Sequence, residues 1–205
     1  MAPLRASTII TETFNMTTST LIPDADLNGI VQTITPATTL GSLIGVTVTL
    51  ETSGGWNGDL YAYLWHDGVL RVLVNRTGRT LAKPDGAGTS GMTLTFSDTA
   101  TMDVHTAVGA LEGIFQPDFR NVHPLATLDT SPRSGALADY YSTSPGGAWR
   151  LFIADVATGD EATLVGWSIS LTGAVAVPEP SMMGIFALVV MCASQRSRSS
   201  RSRVM

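Results

Sequence analysis

Apolar side chains recur at every second position through much of this chain, a period that suits strands with one buried face. In "LIGVTVTLE", Ile44, Val46, Val48 and Leu50 fall on one face, with Gly45, Thr47, Thr49 and Glu51 on the other. "MTLTFS" repeats the pattern with Met92, Leu94 and Phe96, and "LVGWSISLT" with Val165, Trp167, Ile169 and Leu171. "WRLFIAD" at Trp149–Asp155 is a further strand, and Gly113-Ile114-Phe115 a short one. Asp59–Trp65 and Val69–Asn75 are apolar on both faces, which predicts a hairpin covered on both sides. His66-Asp67-Gly68 joins them, with Asp-Gly suited to the positive-φ turn. Before residue 174 nothing sustains a helical apolar stripe over three turns. About eight short strands with Gly-rich turns therefore predict an all-β, antiparallel, jelly-roll-like sandwich. Thr101–Tyr141 is the least regular part and is expected to form long loops.

Charge narrows the function. Residues 1–173 carry 16 acidic and 8 basic side chains, a net of −8, and Lys83 is the chain's one lysine. Binding to nucleic acid needs clustered cations to neutralise phosphates, so that class is set aside. Cys192 is the sole cysteine, which excludes an intramolecular disulfide and a cysteine metal cluster.

Taken in order, several short motifs resemble the P domain (P/Homo B domain) that follows the catalytic domain in kexin-like and many bacterial subtilisin-type proteases. They are Ile22-Pro23-Asp24, Val46-x-Val48-x-Leu50, Gly58-Asp59-Leu60, "FSDTA" at Phe96–Ala100 and Gly113-x-Phe115-x-Pro117. Gly147-x-Trp149-x-Leu151-x-Ile153-x-Asp155, Gly159-Asp160 and Trp167-Ser168-Ile169 complete the set. The likeness covers Leu21 to Thr172 and departs from the family at Thr52-Ser53, where a His-Thr is common. It implies a non-catalytic β-sandwich over residues 21–173, with a subtilisin-like protease as one expected partner. Residues 1–20 are expected to be a disordered or truncated N-terminal segment.

The end of the chain, residues 174–205, has its own resemblance. Val177-Pro178-Glu179-Pro180, a short apolar run and then Arg196, Arg198, Arg201 and Arg203 look like a PEP-CTERM sorting signal. That signal implies a membrane-embedded exosortase as partner, an exported chain, and a leader ahead of Met1. The apolar run Ser181–Ala193 has thirteen residues, about 20 Å as a helix. A bilayer core of roughly 30 Å wants about 20 residues. A short apolar helix of this length reads as a removable address and not as a stable anchor, with the arginines held on the cytoplasmic side.

Three candidate sites remain. "GTSGM" at Gly88–Met92 resembles the nucleophile context of subtilisin-type proteases, but Ser90 would need a base and an orienting acid. None of His66, His105 and His123 stands in such a context, so no catalytic residue is expected. The P-domain resemblance implies a possible Ca²⁺ site, for which Asp24, Asp98, Asp155 and Asp160 are the candidates; turn capping is the competing reading. Trp56, Tyr61, Tyr63 and Trp65 could stack on an extracellular polysaccharide, although core packing is the expected role.

Overall fold

The structure, a computed structural model, describes residues 7–176, and the sandwich lies within residues 9–175. Among the described residues nine strands form two sheets: β1 (Ser7–Ile22), β2 (Ile30–Ile34), β3 (Ser42–Gly54), β4 (Leu60–His66), β5 (Val69–Asn75), β6 (Met92–Phe96), β7 (Leu111–Phe115), β8 (Trp149–Asp155) and β9 (Ala162–Ala176). One sheet runs β1-β9-β3-β6-β7 and the other β2-β8-β4-β5. This is the expected all-β sandwich, with a parallel β6–β7 pair in an otherwise antiparallel arrangement. The expected C-terminal helix and the sorting signal from Val177 to Arg203 lie outside the described residues. Among the described residues, no helix is long and apolar enough to cross a membrane.

The inner faces supply the core. Val48, Leu50, Leu94, Phe96, Ile169 and Leu171 from one sheet meet Leu60, Leu64, Trp149, Leu151 and Ile153 from the other, all fully buried. Two bulges reset the alternation. The register slips between Leu43 and Gly45, so Leu43 is buried and Ile44, expected inside, is 50% exposed. Opposite the second slip, on β9, Leu164 points inward while Val165, expected inside, is only half-buried; Trp167 then resumes the pattern. A bulge puts two residues against one and so inverts the face of everything beyond it.

Within residues 1–20 the expectation of disorder needs correcting from Ile9 onward, because β1 runs to Ile22 and carries that part of the chain into the sandwich; residues 1–6 lie outside the described residues. Threonine and β-branched residues favour a pleated, half-buried surface. The side-chain bonds Thr11–Thr172 (2.7 Å) and Thr13–Ser170 (2.8 Å) tie β1 antiparallel to β9. The hairpin turn is as predicted, with Asp67 and Gly68 both at positive φ.

Residues 97–142 pack as an ordered connection around buried charge. Asp118, with no solvent exposure, accepts from His105 Nδ1 at 2.8 Å and from Arg120 at 3.2 Å. Arg120 also meets Asp103 at 3.0 Å, and Asp103 accepts from the His105 backbone. The same segment sits on β5 through Asp118 N to Leu73 O and Phe119 N to Val72 O. Four side chains thus organise a segment in which β7 pairs with β6 and the rest is irregular.

Candidate functional site

The β4–β5 hairpin is covered on both faces only in part. Val72 to Asn75 are buried on both sides beneath residues 117–122, as expected. On β4, Leu60, Ala62, Leu64 and His66 point inward, whereas Tyr61, Tyr63 and Trp65 point outward and stay half-exposed. They therefore do not pack in the core. Phe152 and Arg150 on neighbouring β8 and Val31 on β2 extend the same outer face, since Tyr63 pairs with Phe152 and Val31 with Phe152.

These side chains are ordered against each other. Tyr63 and Phe152 stack at 4.6 Å and 13°, Tyr61 meets Phe152 edge-on, and the Arg150 guanidinium lies 4.8 Å above the Trp65 ring. Burial and the neighbouring Tyr63 push the Tyr61 hydroxyl up to about 12, so it stays a neutral hydrogen-bonding group. Beside the row lies a groove of about 670 Å³ lined by Tyr61, Tyr63, Phe152, Asn28, Asn121 and His123, among others. A hollow of about 260 Å³ over Val31, Trp65 and Arg150 shares Tyr63 and Phe152 with it. Trp56, 43% exposed, precedes β4 and lines neither space.

Asp98 stands apart from the other three candidate metal ligands, Asp24, Asp155 and Asp160. Both Asp98 oxygens accept backbone N–H groups, from Leu137 and Ala138, and so start the 3-10 turn Leu137–Ser142. Asp24 accepts from Gly159 N, and Asp160 lies exposed just beyond it. Along β3, Val48 pairs with Phe96 before Asp98, whereas Gly54 pairs with Ala162 after Asp160. Six residues of strand separate these points, about 20 Å. Among the described residues, no group of three His, Cys, Asp or Glu is placed to hold a metal ion.

Asp155 does have an unusual setting that the sequence does not mark. It is fully buried; Oδ1 accepts from Ala157 N at 3.3 Å and Oδ2 has no partner. Burial pushes its carboxyl up to about 6, with Asp59 and Asp24 adding to the rise and the Ala157 bond opposing it. Arg76 is committed to Asp59 at 3.1 Å. The folded value lies above the unfolded value of 3.8, so the contribution of this group to stability is full below the unfolded value. It fades as pH rises through about 6. Asp155→Asn should therefore stabilise the protein by up to about 3 kcal/mol near pH 8 and by almost nothing near pH 4. Urea melts of both proteins at the two pH values check this, and an equal effect at both would contradict it.

Ser90 sits on the exposed turn before β6. His66 has both ring nitrogens on carbonyls, of Ala148 and Ser144, and His105 has its two on Asp118 and the Arg79 carbonyl. His123 is exposed, its Nδ1 facing Leu125 N. The described residues thus bring no histidine into hydrogen bond with Ser90, the pairing a serine nucleophile requires.

Fold and site together define an all-β sandwich with one aromatic, partly open sheet face. No family model and no curated protein matches the chain. Among solved structures, the crystal structure of the Aeromonas sobria serine protease (ASP) with its chaperone (ORF2) is similar, at 17% identity and a TM-score of 0.45. The match covers 86% of this chain and 28% of that one. The chain thus spans little more than a quarter of that structure's chain, and a likeness at this level carries no argument about activity or partner.

Proposed function

We propose that this chain is a non-catalytic, exported binding module that docks another protein on the outer face of the β2-β8-β4-β5 sheet. The observation that carries the proposal is the row Tyr61, Tyr63, Trp65 and Phe152, half-exposed and joined by Arg150 and Val31. Tyr, Trp and Arg are the side chains that dominate protein interfaces, because each offers a large apolar body with a polar tip. Stacking of Tyr63 on Phe152, with Arg150 over Trp65, leaves few open ring faces, which suits a packed protein contact. The P-domain resemblance over Leu21–Thr172 supplies the partner class, a subtilisin-like serine protease that the module stabilises or regulates. Export and release follow from the tail: an exosortase reads Pro178-Glu179-Pro180 and removes the apolar run.

A second reading, an extracellular polysaccharide as ligand, draws on the groove, whose Asn28, Asn121 and His123 side chains could hydrogen-bond sugar hydroxyls. One pair of variants separates the two. Phe152→Asp and Trp65→Ala should each weaken binding to a subtilisin-like protease of the same cell at least tenfold, by calorimetry. Migration in gels cast with neutral polysaccharides should stay unchanged. Binding that survives both substitutions would overturn the docking face, and retardation in the gels that both substitutions abolish would favour the polysaccharide.

The tail is tested separately. In a host with a matching exosortase, intact-mass analysis of the exported protein should show the segment from Met191 to Met205 removed. Replacement of Glu179 should leave it attached. Exported protein of full mass would contradict the sorting signal.

A further inference from the structure

Among the described residues, β1 is the edge of the five-stranded sheet, with β9 as its one neighbouring strand. A free edge offers unpaired N–H and C=O groups to any other strand, and proteins commonly blunt such edges with lysine, proline, bulges or brevity. β1 uses none of these. It runs sixteen residues, STIITETFNMTTSTLI, without lysine, arginine, proline or glycine. Its one charge, Glu12, is bound by Thr38 and the Thr39 hydroxyl and so does not guard the edge. Glu12 sits below its ordinary value because Thr38 and Thr39 donate to it, so it remains a carboxylate held on those threonines.

The order of side chains names the strand that fits. The outward positions read Ile9, Thr11, Thr13, Asn15, Thr17, Ser19, Leu21. Reversed, that series is chemically the same, apolar at both ends, hydroxyl between, and amide at the centre. Two copies running antiparallel about a two-fold axis at Asn15 would set Ile9 against Leu21, Thr11 against Ser19, and Thr13 against Thr17. Ile9 is 53% exposed and Leu21 is 50% exposed, so the pairing would cover two apolar side chains now in solvent. On the inner face it sets Phe14 against Met16, both only partly buried at the rim of the core. Glu12 meets Thr18, so the axis brings no like charges together. Matched cross-strand pairs of this kind are what stabilise a sheet contact.

We propose that β1 is a homodimer edge: two copies pair antiparallel through Ile9–Leu21 about Asn15, joining their five-stranded sheets into one of ten strands. The contact is isologous and closes on itself, so it stops at a dimer. It lies on the other sheet from the aromatic face and does not depend on what that face binds.

Sedimentation equilibrium of the full chain at on the order of 100 µM should show a dimer. The double substitution Thr13→Lys with Thr17→Lys sets cation against cation across the axis, and Thr13→Glu with Thr17→Glu sets anion against anion. Each double variant should fold, by circular dichroism, and dissociate with a constant raised at least tenfold. Mixing the two should restore a heterodimer of near-parental affinity, because every introduced cation on one chain then faces an introduced anion on the other. A monomeric parent, or double variants that still dimerise alone, would overturn the proposal. So would two variants that stay apart on mixing.

Discussion

Replacing Trp149 with alanine will lower the free energy of unfolding by about 3–5 kcal/mol, the range for a deleted core aromatic. Trp149 is fully buried on β8, between β2 and β4 in the four-stranded sheet. Its ring stacks on His66 at 3.7 Å and 5°, with Tyr140 tilted against it at 5.2 Å. Its Nε1 donates to Pro145 O at 3.2 Å. The loop at residues 144–148 that accepts this bond also holds both nitrogens of His66, so the indole, the imidazole and the loop are one assembly. Truncation would open a cavity walled by rigid rings and leave the Pro145 carbonyl without its partner. Such a site relaxes poorly, which puts the loss at the upper end of the range. Urea unfolding of parent and variant reads the value directly. A loss near 1 kcal/mol would mean that the assembly is not part of the cooperative core.

The strands carrying this core are legible in the sequence because alternation and burial coincide there. Trp149, Leu151 and Ile153, like Trp167, Ile169 and Leu171, all lie where the period-2 pattern puts them. Ile44 and Val165 break the pattern because a bulge costs one residue and leaves no mark in composition. β1 escapes the pattern for a related reason. At an edge both faces stay partly wet, so Thr and Ser replace the apolar side chains by which a strand is recognised. The aromatic residues of β4 stand out in the sequence as a candidate surface, but Tyr and Trp alternate there with Leu and Ala, so the segment is apolar throughout and sequence alone does not say which side is covered. The metal candidates rest on acidic residues near turns. Asp98 shows the alternative use of such a residue, with both oxygens spent on backbone N–H groups. The buried charges are invisible, because Asp118, His105, Arg120 and Asp103 are spread over a segment with no period at all.

Removing Asp118 is the sharpest test of that buried cluster. Burial by itself would push the His105 ring down, but the hydrogen bond and charge of Asp118, helped by the Arg79 carbonyl, raise it above the ordinary histidine value against the opposition of Arg120. Both ring nitrogens face acceptors, so the doubly protonated ring fits the site. Its folded pKa exceeds the unfolded one. The stability it contributes is therefore full below the ordinary histidine range and is lost as pH rises through the raised value. Asp118→Ala leaves His105 and Arg120 buried with Asp103 as the one remaining anion. It should cost about 3–5 kcal/mol, the usual loss when one member of a buried pair is removed. Asp118→Asn should cost less at high pH, because its amide can donate to a neutral ring at Nδ1 while Nε2 keeps donating to Arg79 O. At low pH the amide can turn its oxygen to the protonated Nδ1 but brings no charge to offset burial and Arg120, so the ring resists protonation. The difference in stability between this variant and the parent should thus widen as pH falls from about 8 to about 5, where the parent gains from His105 and the variant loses. Taking the difference cancels the Asp155 contribution that both proteins share. Urea melts across that range decide the matter: a difference independent of pH would mean that His105 is not charged by Asp118, and an alanine variant as stable as the parent would remove the cluster from the account of how residues 97–142 are held.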